Sequence, residues 1–265
     1  MMTPIWIVDA FTEQPFGGNP AAVCLLDHWR SAECLQLVAR EMNLSETAFL
    51  VALAANEFEL RWFTPKVEVE LCGHATLAAA HIVWETQRTG PAEIGFQTKS
   101  GRLTATRLPN NAIELDFPAQ PAIPWPGSAE LGQALGTADW VAAGRNDCDL
   151  LVELASADTV RHLEPDFEHL QKIDCRGVIV TARSDHHQFD FISRFFAPAV
   201  GVNEDPVTGS AHCCLSEWWG DKLGKDQLVG YQASERGGVV RMRRRGKRVK
   251  LIGTAVTVMR GELLK

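Results

Sequence analysis

The sequence predicts an α/β chain built as two similar lobes. Three observations carry that prediction. Apolar segments of strand length recur along the whole chain. Two glycine-led runs of helical character, starting at Gly73 and Gly209, stand about half a chain apart. The segments leading into those runs repeat each other. Arg61-Trp62-Phe63-Thr64-Pro65-Lys66-Val67-Glu68-Val69 reads against Arg194-Phe195-Phe196-Ala197-Pro198-Ala199-Val200-Gly201-Val202. After a three-residue insertion in the second copy, Leu71-Cys72-Gly73-His74-Ala75 matches Val207-Thr208-Gly209-Ser210-Ala211. The matched residues include the Pro and Gly that punctuate structure, so the repeat is structural.

In chain order, Ile5 to Phe11 reads as a buried strand. Pro15-Phe16-Gly17-Gly18-Asn19-Pro20 is turn chemistry. Asn19 either caps that turn, the favoured reading, or faces a ligand. Ala21 to Leu26 is the next strand. Ser31 to Met42 has helical spacing, with Ser31 as N-cap. Asn43 to Thr47 forms a link, and Ala48 to Leu53 a further strand. Glu59 to Phe63 is a strand, and Gly73 to Arg88 the first central helix. Residues 93–98, 101–107 and 112–117 alternate as antiparallel strands, with a turn at Asn110-Asn111. Pro118, Pro121, Pro124 and Pro126 mark an extended linker. The first lobe is thus 1–118, completed by a C-terminal strand in 254–265, and the second is 119–253. Within the second lobe, Ser128–Leu135 and Asp166–Gln171 read as short helices, Leu150–Leu154, Gly177–Thr181 and Phe189–Phe196 as strands, and Ala211–Trp219 as the second central helix.

The totals exclude several classes. A net charge of −7 gives no general attraction to nucleic acid or anionic membrane. The basic stretch Arg241 to Lys250 lacks interleaved aromatics and reads as a hairpin turning at Gly246. No apolar run approaches the ~20 residues of a membrane span, and the N-terminus is not a signal peptide. Seven scattered cysteines without a CxxC pair point to free thiols rather than disulfides or zinc, as in a reducing cytoplasm.

The repeated glycine-led helix starts offer the chemistry. A helix N-terminus presents unsatisfied amides and the positive end of its dipole, a ready site for a carboxylate. Cys72 and His74 flank the first glycine, and Thr208 and Ser210 the second. Glu204 and Asp205 place carboxylates just ahead of the second, where one of them could bond an amine or hydroxyl. His81, two turns past His74, reads as a helix histidine without a ligand role. Glu46 would by residue type be a solvated surface residue. Its place at a strand entrance beside apolar residues makes it a candidate for a partly buried carboxylate with a raised pKa. Two lobes that each bring such a helix start could grip a small carboxylate and exchange protons with it.

Four segments together carry a family resemblance: Asp9-Ala10-Phe11-Thr12 with Gly18-Asn19-Pro20; Ser45-Glu46-Thr47-Ala48-Phe49; Cys72-Gly73-His74-Ala75-Thr76; and Glu204-Asp205-Pro206-Val207-Thr208-Gly209-Ser210-Ala211. In this order they resemble the PhzF-like isomerase family of phenazine biosynthesis, which has the diaminopimelate epimerase fold. The resemblance implies two pseudo-symmetric lobes, each a curved, mostly antiparallel sheet wrapped around a central helix, with the active site between them. It implies neither metal nor organic cofactor, and commonly a homodimer. Carried over by motif, Glu46 is the catalytic acid/base. Gly73, His74, Asp205, Gly209 and Ser210 hold the substrate, and Cys72, Thr208 and Asn19 are secondary candidates.

The expected function is a proton-transfer isomerase acting on a small carboxylate. In the epimerases of this fold a Cys from each lobe moves the proton, but here the second position is Thr208, a far poorer base than a thiolate. The alternatives are a Cys72-dependent epimerase or dehydratase of an amino or hydroxy acid, and a non-catalytic metabolite-binding protein.

Overall fold

The computed structural model describes residues 3–87 and 91–264. Met1, Met2, Lys265 and the expected helix end at Arg88 lie outside the described residues. The chain packs as two units, residues 1–117 with 250–265, and residues 118–249.

In the first unit the elements are β1 (Thr3–Ala10), β2 (Asn19–Leu26), α1 (Ala32–Met42), β3 (Glu46–Ala54), β4 (Glu57–Phe63), β5 (Glu68–Val69), α2 (Gly73–Gln87), β6 (Glu93–Thr98), β7 (Gly101–Arg107) and β8 (Ile113–Pro118). The second unit holds β9 (Ile123–Pro124), α3 (Ala129–Leu135), β10 (Trp140–Arg145), β11 (Asp149–Leu154), α4 (Ala157–Arg161), α5 (Phe167–Leu170), β12 (Gly177–Arg183), β13 (Phe191–Phe196), α6 (Gly209–Leu223), β14 (Gln227–Gln232) and β15 (Gly238–Arg245). β16 (Arg248–Gly253) crosses the division, and β17 (Ala255–Leu263) lies in the first unit.

Most pairings in the first unit are antiparallel, and the exceptions are β2 with β3 and β4 with β6. β17 pairs with β1 from Ala255 opposite Ala10 to Leu263 opposite Thr3. α2 packs against β1, β2, β3 and β17. Its residues from His74 to Ala80 are all buried. A helix apolar on every side belongs inside a fold, and Ala75, Ala78, Ala79 and Ala80 keep it slim enough for strands to approach. A second cluster, in which Ala22, Cys24, Phe49 and Phe63 meet Leu35 and Ala39 of α1, covers other strand residues. With helices against both sets of residues, β2 and β3 read as near-continuous apolar runs instead of alternating. The Ser31 hydroxyl caps α1 by accepting from Cys34 N.

The second unit repeats the plan. β11 and β12 are parallel, β12 and β13 antiparallel, β13 and β14 parallel, and β14 and β15 antiparallel. Leu131 and Leu135 of α3, Val160 of α4 and Leu170 of α5 pack on Val152, Val180, Ile192 and Phe196. α6 packs against β14 and β15. Its Trp219 stacks on Phe191 and donates to Thr181 Oγ1 at 3.0 Å.

Several sequence expectations need correction. The proline-rich stretch is no free linker, since Ala119 N donates to Lys247 O and Trp125 N to Ala143 O, and β9 pairs with β10. Strands β10 and β14 and helix α4 were not anticipated. Glu46 is the first residue of β3, opposite Ala21, rather than part of the link before it.

Candidate active site

The first unit assembles Asn19, Glu46, Cys72 and His74. Gly18 turns the chain with φ 62°, and a Cβ there would lie 2.1 Å from the Ala10 carbonyl oxygen. Glycine is therefore required where the chain delivers Asn19 to the start of β2. Asn19 is fully buried and its Nδ2 lies 3.1 Å from His74 Nδ1. The turn-capping reading of Asn19 is thus overturned: its side chain serves the histidine.

His74 Nε2 lies 3.2 Å from Glu46 Oε2, with the two side chains 4% and 17% exposed. Burial pushes the imidazole down to about 3, so it is neutral at ordinary pH. With the Asn19 amide donating to Nδ1, the ring hydrogen belongs on Nε2, beside the carboxylate. Cys72 Sγ lies 3.5 Å from Nδ1, and the Thr76 hydroxyl donates to Cys72 O at 2.5 Å. Gly73 and His74 contribute first-turn amides, which have no acceptor within the helix.

Glu46, Cys72 and His74 bring ligand atoms within 4.8 Å of one another, a sulfur, nitrogen and oxygen set of the kind zinc takes. The thiol sits at Nδ1 and the carboxylate at Nε2. One ion cannot use both nitrogens of one ring, so this arrangement does not fit a metal without rearrangement.

The second unit places Thr208, Gly209 and Ser210 at the equivalent helix start. The Thr208 hydroxyl donates to Asp205 Oδ2 at 2.5 Å, and Gln232 bridges the two, accepting from Thr208 N at 2.8 Å and donating to Asp205 O at 2.6 Å. Thr208 is therefore committed to Asp205. Glu204 is spoken for as well: it forms a two-point pair with Arg194, at 2.7 and 2.8 Å. Arg61 and Glu68 make the same pair in the first unit, at 2.8 and 2.9 Å. Glu204 is thus a structural counterpart of Glu68, whereas Asp205 is held by Thr208. His81 contacts Thr257 Oγ1 at 3.1 Å and Glu85 at 3.2 Å, apart from the Glu46 group.

Sequence reasoning missed Arg176. Its Nη2 donates to Ser210 Oγ at 2.9 Å, and its Nε and Nη2 pair with the two carboxylate oxygens of Asp149 at 2.9 and 2.5 Å. Phe63 pairs with Thr47, and its repeat partner Phe196 pairs with Val178. Arg176 therefore stands one residue ahead of the position matching Glu46. Carrying the repeat back by one strand would have exposed it.

A family model described as phenazine biosynthesis-like protein matches residues 8–261. The chain belongs to that family. An uncharacterized isomerase of Halalkalibacterium halodurans is 53% identical over all of this chain and 99% of its own length. The crystal structure of a PhzF-family phenazine biosynthesis protein from Enterococcus faecalis superposes with a TM-score of 0.94 at 41% identity, covering the whole of both chains. A hydroxyproline epimerase from Agrobacterium vitis matches at a TM-score of 0.65 over 99% of this chain and 92% of its own. At 8% identity that likeness concerns the fold alone, which both comparisons make the epimerase type of α/β fold.

Proposed function

We propose that this PhzF-family protein is an isomerase that moves a proton between carbon positions of a small carboxylate, with Glu46 as acid and base. The observation that carries the reading is the Glu46 carboxylate 3.2 Å from the buried Nε2 of His74, whose other nitrogen is held by Asn19. A neutral imidazole stands beside the carboxylate without adding a positive charge to it. Glu46 is 17% exposed, open enough to meet a ligand. It takes a proton from one substrate carbon and returns a proton to another, so the net change is a shifted double bond. The first-turn amides of Gly73 and His74, beside Glu46, bind the anionic part of the substrate. The name isomerase, borne by a relative 53% identical, supports this reaction class.

Cys72 favours a second reading, because its thiol lies 3.5 Å from His74 Nδ1. An imidazole pushed down to about 3 is too weak a base to ionise a thiol, and Thr208 supplies no partner thiol. Glu46 is therefore preferred.

The test is solvent exchange in D2O, followed by proton NMR, across amino, hydroxy and unsaturated carboxylic acids. The wild-type protein exchanges a carbon-bound proton of at least one of them. Glu46→Gln abolishes that exchange while keeping the fold, and Cys72→Ala retains it. Full exchange by Glu46→Gln would overturn the assignment, and loss of exchange in Cys72→Ala would favour the second reading.

A further inference from the structure

The geometry points to Arg176 as the anchor for the substrate carboxylate in the second unit, an inference that rests on the proposed proton-transfer reading of this site. Asp149 is buried, with a side chain that is 0% exposed, and it holds the guanidinium by two parallel bonds. Such a pair fixes the plane of an arginine, which a single contact would not. The Arg176 side chain is nevertheless 36% exposed. Its hydrogen bonds use Nε and Nη2 alone, so the two hydrogens of Nη1 remain for a ligand.

The bond to Ser210 adds a second consequence. An arginine has no acceptor, so in the 2.9 Å contact the Ser210 oxygen must accept. The hydroxyl hydrogen of Ser210 is then free to donate elsewhere. Arg176 thereby provides its own Nη1 hydrogens and turns Ser210 into a donor beside them. Two donors with one positive charge suit a carboxylate, whose two oxygens take up to four hydrogen bonds. The acidic groups facing Arg176 are Asp149, the Cys148 thiol and Asp205. Asp149 is consumed by the two-point pair, and Asp205 accepts from Thr208.

The repeat makes the assignment asymmetric in a useful way. In the first unit the residue after the helix-leading glycine, His74, meets the carboxylate Glu46 at the start of β3. In the second unit the corresponding Ser210 meets a guanidinium just ahead of β12. The first unit carries a carboxylate at this position and the second a guanidinium.

The probes are acetate, lactate, benzoate and malate, each compared with its amide in thermal-shift and NMR titrations. At least one carboxylate binds the wild-type protein and its amide does not. Ser210→Ala and Arg176→Met each weaken that carboxylate by about tenfold or more, whereas Arg176→Lys keeps part of the affinity. Arg176→Met leaves Asp149 buried without its partner, so Arg176→Met with Asp149→Asn is measured alongside it. Unchanged affinity in that folded double variant, or failure of all four carboxylates to bind the wild type, overturns the inference. Glu46→Gln separates the two readings, since it should bind the carboxylate as the wild type does while losing exchange. Exchange retained in Glu46→Gln together with weakened binding in the Arg176 variants would sink the reaction and leave the anchor standing.

Discussion

At the scale of the residue, the site sets neutral groups beside a charged one. Asn19 holds His74, whose Nε2 lies 3.2 Å from Glu46. Asn19→Ala leaves His74 Nδ1 without its amide partner in a buried place, which costs about 1–3 kcal/mol. Urea unfolding should show a lower midpoint at an unchanged slope. Exchange should fall as well, because the imidazole can then carry its hydrogen on Nδ1 and turn an acceptor toward Glu46. A variant with normal exchange would remove Asn19 from the mechanism. Asn19 also shows how far residue type can be read. Its neighbours Gly18 and Pro20 announce a turn, and a turn there usually has an Asn as cap. Only its complete burial against a helix that begins 54 positions later shows the other role. Glu46 was legible through its motif, whereas Arg176 carried no local signal. It matters through Asp149 and Ser210, which are distant in sequence on both sides.

At the scale of the element, α2 and α6 do the positioning. Both are fifteen residues long, and both begin at the glycine that opens the site. α2 is surrounded by strands, so its alanines set how closely β1, β2, β3 and β17 approach. Ala79 is 0% exposed. Ala79→Leu should cost about 1–3 kcal/mol through overpacking, read as a lower denaturation midpoint. It should also lower exchange, because the helix carries His74. The run of alanines and leucine in residues 75–80, broken only by Thr76, identifies this helix as central from sequence alone. The strands were less legible: β14 was missed because Gly230 breaks its apolar run, where a Cβ would lie 2.6 Å from the Phe191 ring.

At the scale of the whole molecule, two properties follow from the fold. The first concerns β17. It pairs with β1 over their full length and packs on α2, although its own residues are only partly buried or exposed. Removing residues 255–265 strips β1 of that partner and opens one side of α2. The truncated chain should lose cooperative unfolding in the first unit, which hydrogen exchange of β1 and β2 amides would report. Full protection of those amides would show that β17 is dispensable.

The second property is acid sensitivity. Burial pushes His74 down to about 3 and His212 to about 4, against an ordinary value of 6.5. Between these values the unfolded chain binds protons that the folded chain refuses. Stability therefore rises with pH in this window, and falls as pH drops from 6.5 toward 4. Each histidine accounts for about 2 kcal/mol of loss between about pH 8 and about pH 5. His212 donates from Nδ1 to Thr208 O, and its buried Nε2 has no partner among the described residues. His212→Gln should therefore flatten the pH dependence of the urea midpoint, and an unchanged slope would show that His212 does not set it.

The sequence by itself determined the two-lobed α/β plan, the two glycine-led helices and the motif that marks Glu46. These are local properties: periodicity, glycine and proline punctuation, and order along one chain. The tertiary structure decided which of several polar residues near those motifs meet. It tied Glu204 to Arg194, gave Asn19 to His74, committed Thr208 to Asp205 and brought Arg176 to Ser210. The physical reason is that a hydrogen bond depends on approach within about 3 Å. Strand register and helix packing set that approach, and they bring together residues whose separation along the chain carries no trace of it.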